Sequence, residues 1–421
     1  MYGSVNWISS LRPDVGQFYF AWEKQIPYVP AMIIPYMSID LFFIAAAFVC
    51  RTRAELHTFV ARTLFAIGIS AIFFLLLPLH FSFDRPSATS WLARAAELFK
   101  TFDRPYNLAP SLHISLRTIL LAVYLPQLRG IARKVLLAWF ALIGLSTLLV
   151  YQHHFVDVVA GDAVALCCFY LFPERSPAIK QASLARNLGV GRLYGLGSIA
   201  LLVLVLPGGL LLALVWPAVS LAIIACAYFA GNPDAFQKRE GTLSVAAQIL
   251  LAPYLAGAWI SFRWFSRRPP SHTRITDRVF VGRKLSRIEA RKLPAAGFVA
   301  VVDLTAEFSE TRALRQLEYL SLPTLDLTAP SLVDLDRAVG FVQHWAARGK
   351  VYVHCALGYG RAATVAAAYL RAEGIAESVD SAVAMLKGVR PGVVIKPEML
   401  EVLHAYERSL VSSAANIAGS I

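Results

Sequence analysis

The sequence predicts a polytopic α-helical membrane segment of about seven spans, followed by a cytoplasmic α/β domain. Three observations predict it. Of 421 residues, 57% are hydrophobic and the mean hydropathy is +0.56, yet the long apolar runs are confined to residues 28–265. Charge divides at the same place: residues 271–421 hold 18 Lys+Arg against 15 Asp+Glu, and residues 1–270 hold 22 against 12. After Pro269-Pro270, short apolar strands alternate with helical spacing, the pattern of an α/β domain. A basic excess beside apolar spans marks cytoplasmic loops and lipid headgroups rather than nucleic acid.

Residues 1–27 lack a cationic start, an apolar core and a small-residue cleavage site, so they read as an interfacial segment and not a signal peptide. A spanning helix needs about 20 largely apolar residues. Runs at 28–50, 63–82, 112–128, 133–151, 154–172, 194–213 and 214–231 qualify, giving a membrane domain over 28–175 and a further hairpin over 190–232. Arg51, Arg53 and Arg62 follow the first run, Arg129, Arg133 and Lys134 the third, and Arg175, Lys180, Arg186 and Arg192 the fifth. Those loops are expected in the cytoplasm, which puts 83–110 and the turn near 152 outside.

In 233–270, the loop DAFQKREG with Phe236, Lys238 and Arg239 reads as a solvated turn, with headgroup docking as the alternative. The stretch 244–262, interrupted by Pro253, reads as an interfacial helix; crossing there would carry the C-terminal domain outside. Strands are expected at RVFVG, FVAVVDL, YLSLPTLDL and KVYVHC, and helices at 331–347, 361–373, 377–388 and 397–410, within a domain at 271–412 that a 413–421 tail follows. Cys50, Cys167, Cys168 and Cys226 lie in apolar runs and read as small buried hydrophobes.

Chemistry concentrates in two places. In HCALGYGR, Cys355 and Arg361 flank Ala356, Leu357, Gly358, Tyr359 and Gly360. A glycine-bearing loop at a helix N-terminus aims successive N–H groups at one phosphate, and a nearby guanidinium favours a thiolate nucleophile. Arg361 can grip two phosphate oxygens, and Asp326, on a loop after a strand, can protonate the leaving oxygen. A working thiolate suits a reducing compartment, hence the cytoplasm.

This stretch resembles the cysteine-dependent dual-specificity phosphatases, whose signature is HC-x5-R. The segments EYLSLPTLDLTAPSLVDL and VRPGVVIKPEMLEVL look most like the mitochondrial phosphatidylglycerophosphate phosphatases. The resemblance implies a phosphocysteine on Cys355, Asp326 as acid and then base, and His354 beside the loop tuning the thiolate. Ala362 departs from the family, which carries Ser or Thr there, and this predicts slower phosphocysteine hydrolysis.

The second place is FDRPYNLAPSLHIS with STLLVYQHHFVDVVAG, both at the outer ends of expected spans. His153 and Asp157 are spaced to share a helical face, so that the carboxylate orients the imidazole as a nucleophile, and His113 is placed to protonate a leaving oxygen. Asp40, inside the first run, is expected to line the same cavity. PSLH, with Ser111 and His113, and ST-x5-H-x3-D, ending on His153 and Asp157, resemble the type 2 phosphatidic acid phosphatase superfamily, in its inositol phosphorylceramide synthase-like branch. Leu112 replaces the motif glycine, Thr147 replaces the motif arginine, and Lys100 and Arg104 are the remaining phosphate clamps. Fewer cations suit a phosphodiester donor better than a dianionic monoester, which points to transfer.

The combined expectation is a bifunctional phospholipid-metabolising enzyme of a bacterial inner membrane, with an outward histidine site and a cytoplasmic cysteine phosphatase. It needs neither cofactor nor metal, takes membrane phospholipids as substrates, and binds no nucleic acid; the sequence specifies no protein partner. The alternatives are a tethered phosphoprotein phosphatase in signalling and a non-catalytic lipid-binding scaffold.

Overall fold

In the computed structural model, which describes residues 5, 7, 8, 11, 12, 15–84, 108–174, 186–267 and 270–418, the first of two units (1–176) is helical. Its helices are α1 (Ile33–Val49), α2 (Arg53–Leu76), α3 (Leu112–Tyr124), α4 (Gly130–Leu149) and α5 (Phe155–Leu171). Ile39, Phe59, Ile119, Phe140, Ile143 and Cys168 pack between them, while Leu41, Phe48 and Leu64 face outward. That inversion suits a lipid surround.

Helix α2 starts ten residues before the expected 63, because Thr52 caps it by accepting from Glu55 N. Arg62 therefore lies inside a helix and not in a loop; its Nε donates to Phe172 O at 2.9 Å and its guanidinium sits 4.7 Å from the Phe169 ring. Asp40 is exposed on α1.

Among the described residues, five helical stretches are long and apolar enough to cross a membrane: Pro30–Val49, Arg53–Leu76, Gly130–Leu149, Leu188–Val205 and Gly209–Ala230. Helix α3, with 13 residues, reaches about 20 Å against a hydrocarbon core of about 30 Å. It ends where Pro126 enters a 3-10 turn. Helix α5 has 17 residues, because the chain before it is held in a cap, so the count of seven is not reproduced by length.

The second unit (177–421) opens with α6 (Leu188–Val205) and α7 (Val215–Ala230), joined side by side by Ser198 Oγ donating to Ala218 O. A two-stranded ribbon, β1 (Lys238–Arg239) and β2 (Thr242–Leu243), leads to α8 (Val245–Leu250) and α9 (Ala252–Phe265). The expected 244–262 helix thus breaks at Leu251, with Pro253 in the first turn of the second piece, where a missing N–H is tolerated.

There follow β3 (His272–Arg274), β4 (Val279–Arg283), α10 (Arg287–Lys292), β5 (Phe298–Thr305), β6 (Glu318–Thr324), α11 (Leu332–Ala346), β7 (Lys350–Cys355), α12 (Arg361–Ala372), α13 (Val379–Val389) and α14 (Pro397–Ala418). The sheet order is β3-β4-β7-β5-β6, parallel except for the β3–β4 edge. Val351, Tyr352, Val353 and His354 are all fully buried, as a central parallel strand covered on both faces requires. Cys355 ends that strand, where an α/β sheet opens its ligand crevice.

The loop before the sheet is not a solvated turn. Phe236 and Lys238 are buried, and Lys238 Nζ reaches Asp303 Oδ2 at 2.6 Å, Thr305 O at 2.6 Å and Thr305 Oγ1 at 2.8 Å. Burial pushes the Asp303 carboxyl pKa up, but Lys238 and His354 more than offset this and hold it well below the carboxylate range. Glu307 and Glu310 are depressed in the same way, by Arg361 and by His354 respectively, against burial.

Lowered folded pKa values mean that this stability is present above the unfolded values of about 4 and lost as pH falls through the folded ones. The melting temperature of the detergent-solubilised full-length protein is therefore expected to hold from pH 7 to 5 and to drop below pH 4. Lys238→Met leaves Asp303 charged and buried without its partner, an expected loss of about 3–5 kcal/mol by denaturant titration.

Candidate functional site

The Cys355 loop is shaped from outside. Gly358 has φ +73, and a Cβ there would meet the Gly282 carbonyl, so only glycine fits. The carbonyls of Ala356, Leu357, Gly358 and Tyr359 all turn away from the loop centre. They accept from Lys284 N (3.0 Å), Arg390 Nη2 (3.0 Å), Arg390 Nε (3.0 Å) and Val394 N (2.9 Å). With the carbonyls drawn outward, the N–H groups are left for an anion inside; Gly358 N already donates to Cys355 Sγ at 3.2 Å. Arg390 is buried, bonds Thr273 Oγ1 and lies 5.1 Å from the Tyr359 ring.

Arg361, the first residue of α12, is fully enclosed. Nη2 and Nη1 donate to the two Glu307 oxygens at 2.8 and 3.0 Å, and Nη1 also to Thr324 O at 2.7 Å. Burial would lower its pKa, but Glu307 and Asp326 raise it well above the ordinary value, so it is a permanent cation. Asp326 Oδ1 lies 3.0 Å from Nη2, with its side chain half exposed. Arg361 Nε is buried without a hydrogen bond. Nε and Nη2 form one edge of the fork, the edge that takes two oxygens of a phosphate.

His354 is buried under the loop with Nε2 3.2 Å from Glu310 Oε2, and stacks on Tyr352. Ala362 is enclosed, and the hydroxyl of Thr364 bonds Gly360 O, so it does not stand in for the missing one. Asp303, Glu310 and His354 are spaced for a cation, but Lys238 Nζ already supplies one there.

Cys355, Arg361 and Asp326 are thus brought together as the sequence implies. Asp303, Glu307, Glu310 and Arg390 join them in the structure without a motif of their own in the sequence. The two acids after FVAVVDL and the arginine in VRPG were visible as charges, but nothing local tied them to the loop.

In the first unit, Ser111 caps α3, its Oγ accepting from Ile114 N at 3.3 Å. His113 lies in the first turn of that helix, stacked 4.1 Å from the Tyr36 ring and within electrostatic reach of His153. His113 Nε2 makes no hydrogen bond. His153 precedes α5, so it does not share a helical face with Asp157. Asp157 Oδ2 instead accepts from His154 N at 2.7 Å and stays 3.7 Å from His153 Nδ1. The carboxylate caps the helix.

His154 is tied at both nitrogens: Nδ1 lies 3.1 Å from buried Glu23, and Nε2 accepts from Ser82 N at 3.3 Å. Its ring stacks on Phe81. That leaves His153 as the uncommitted imidazole of the pair, its Nδ1 without a hydrogen bond. Arg117, one turn beyond His113, pairs with Asp162 at 2.9 Å. Lys100 and Arg104 lie outside the described residues.

Comparisons with known proteins divide the chain the same way. Residues 279–409 match the model of the dual specificity phosphatase catalytic domain, and 59–179 match the PAP2 superfamily. Phosphatidylglycerophosphate phosphatase PTPMT2 of Arabidopsis thaliana is 32% identical over 154 residues, which cover 35% of this chain and 64% of that protein. Phosphatidylglycerophosphatase and protein-tyrosine phosphatase 1 of Mus musculus is 37% identical over 101 residues, covering 24% of this chain and 52% of the relative. The chain thus spans between half and two thirds of these curated relatives. A crystal structure of PTPMT1 in complex with PI(5)P aligns at 27% identity over 34% of this chain and 99% of that one, with a TM-score of 0.32. The chain carries a PAP2-superfamily segment at residues 59–179 and a dual specificity phosphatase catalytic domain at residues 279–409.

Proposed function

We propose that the C-terminal domain hydrolyses a phosphomonoester on a membrane lipid headgroup, of the phosphatidylglycerophosphate kind, at the cytoplasmic face of a bacterial inner membrane. The observation that carries the lipid reading is the attachment of the apolar hairpin to the rim of the site. Asn187, which caps α6, donates to Leu327 O beside Asp326, and Lys238 enters the sheet at Asp303. A substrate held in the bilayer then meets Cys355 without leaving it. The relatives named as phosphatidylglycerophosphate phosphatases support the same headgroup.

In this mechanism a phosphate dianion takes the Nε–Nη2 edge of Arg361 and the loop N–H groups. Asp326, displaced from Arg361 as a carboxylate, takes a proton from solvent and, as the carboxylic acid, delivers it to the leaving oxygen. Cys355 Sγ attacks phosphorus, the P–O ester bond breaks, and the alcohol departs with the Asp326 proton. Asp326 then takes a proton from water, whose oxygen attacks phosphorus and breaks the S–P bond, giving inorganic phosphate and the thiolate.

The histidine cluster supports a second, outward-facing lipid phosphatase or headgroup-transfer site. There His153 would attack phosphorus and His113 would serve the leaving oxygen.

Phosphate release from phosphatidylglycerophosphate by the full-length protein in detergent tests both halves. Cys355→Ser is expected to abolish release, Asp326→Asn to lower kcat about a hundredfold, and His153→Ala to leave it unchanged. Release surviving in Cys355→Ser would sink the proposal. Arg390→Met removes two charged donors from the loop carbonyls, each worth about 1.5–3 kcal/mol, so orthovanadate binding by calorimetry is expected to weaken at least tenfold.

A further inference from the structure

We propose that the cleft between α9 and the phosphatase domain is a second binding site, separate from the Cys355 loop, for the phosphate headgroup of an anionic phospholipid. The cleft encloses about 1220 Å³. One wall is aromatic: Trp259 and Phe262 of α9 face Phe308, with the two phenyl rings 5.6 Å apart. The other walls are cationic, with Arg263, Arg267, Arg287, Arg291, Arg312 and Arg315 around the opening and Arg283 and Lys284 at the back.

Two carboxylates line the cleft, Glu289 and Glu310, and both are already committed. Glu289 takes the Arg283 fork at 2.7 and 3.2 Å; Glu310 lies 3.5 Å from Lys284 and 3.2 Å from His354. Six further guanidiniums therefore line the cleft without a matching acid among its lining residues. Two buried polar atoms of the lining, Arg283 Nε and Thr311 Oγ1, make no hydrogen bond. A phosphate would answer both the charge and the donors.

The occupant is fixed by the aromatic wall and by what lies beyond it. Ile260, Trp264 and Phe265 are exposed on α9, next to Arg263 and Arg267, the composition of a helix lying in the headgroup plane. A lipid places its phosphate among the arginines and its chains along that face. A soluble phosphate ester or an acidic peptide has no use for the apolar side. The back wall also touches the catalytic loop, since Lys284 N holds Ala356 O and Glu310 faces His354.

The proposal goes beyond hydrolysis, and its test does not depend on turnover. Full-length Cys355→Ser protein in a neutral detergent is titrated with a fluorescent short-chain phosphatidic acid, read by anisotropy, beside phosphatidylcholine as control. Binding is expected for the anionic lipid only, to weaken with salt, and to persist with saturating orthovanadate. Arg287→Gln/Arg291→Gln/Arg312→Gln, three exposed positions, is expected to weaken it about a hundredfold, roughly fivefold per cation. Arg291→Gln alone, weakening it about fivefold, keeps the test informative if the triple variant melts early. Unchanged affinity in these variants, displacement by orthovanadate, or displacement by glycerol 3-phosphate at equal concentration would each overturn the proposal.

Discussion

One buried lysine joins the membrane hairpin to the phosphatase sheet. Lys238 comes from the ribbon after α7, yet its three ammonium hydrogens are spent on Asp303 and Thr305 of β5. Asp303 is saturated in turn, with Oδ2 also accepting from Tyr319 and Oδ1 from Thr305 N and Oγ1. Removing two charges from water costs several kcal/mol each, and their attraction roughly offsets that, so the pair contributes placement more than net stability. What it places is the end of β5. From there the chain runs directly to Glu307, which holds Arg361, and Glu310, which faces His354. The strand end that leads to these two acids is therefore held by a residue outside the phosphatase family match.

The same arrangement sets how charge is handled at the phosphate position. Arg361 is locked bidentate to Glu307, so it cannot swing, and its remaining edge faces Asp326. An incoming dianion competes with one carboxylate for that edge and has the stronger claim, with more charge and loop N–H groups besides. In the proposed mechanism the displaced Asp326, once it has taken a proton from solvent, is the acid for the leaving oxygen, so that binding and proton delivery would be coupled through one guanidinium.

Much of this was legible from sequence where the signal is local. HC-x5-R, the strand KVYVHC and the Ala-rich helix after it specify strand, loop and helix within about twenty residues, and the structure repeats them almost residue for residue. The partners were not legible, because they arrive from 33, 54 and 65 positions away: Arg390 to Leu357, Glu307 to Arg361, Lys238 to Asp303. Hydropathy also blurred the start of α2, where the T-x-x-E cap at Thr52 and Glu55 marks the boundary more sharply than an apolar window does.

The histidine cluster shows how a motif spacing can be right while its geometry is different. H-x3-D suggested an imidazole held by a carboxylate four residues on, but the chain turns into α5 between them, and Asp157 spends its Oδ2 on the helix N-terminus. His153 is positioned by backbone instead. Its N–H and that of Gln152 both donate to Thr147 O, at the end of α4. Thr147 stands where the family motif has arginine, and its hydroxyl bonds Gly144 O. The position therefore keeps a role in setting the histidine while giving up the charge. In the proposed transfer site the nucleophile would therefore be held by its main chain and by the helix cap beside it, with Nδ1 of the His153 ring left without a hydrogen bond.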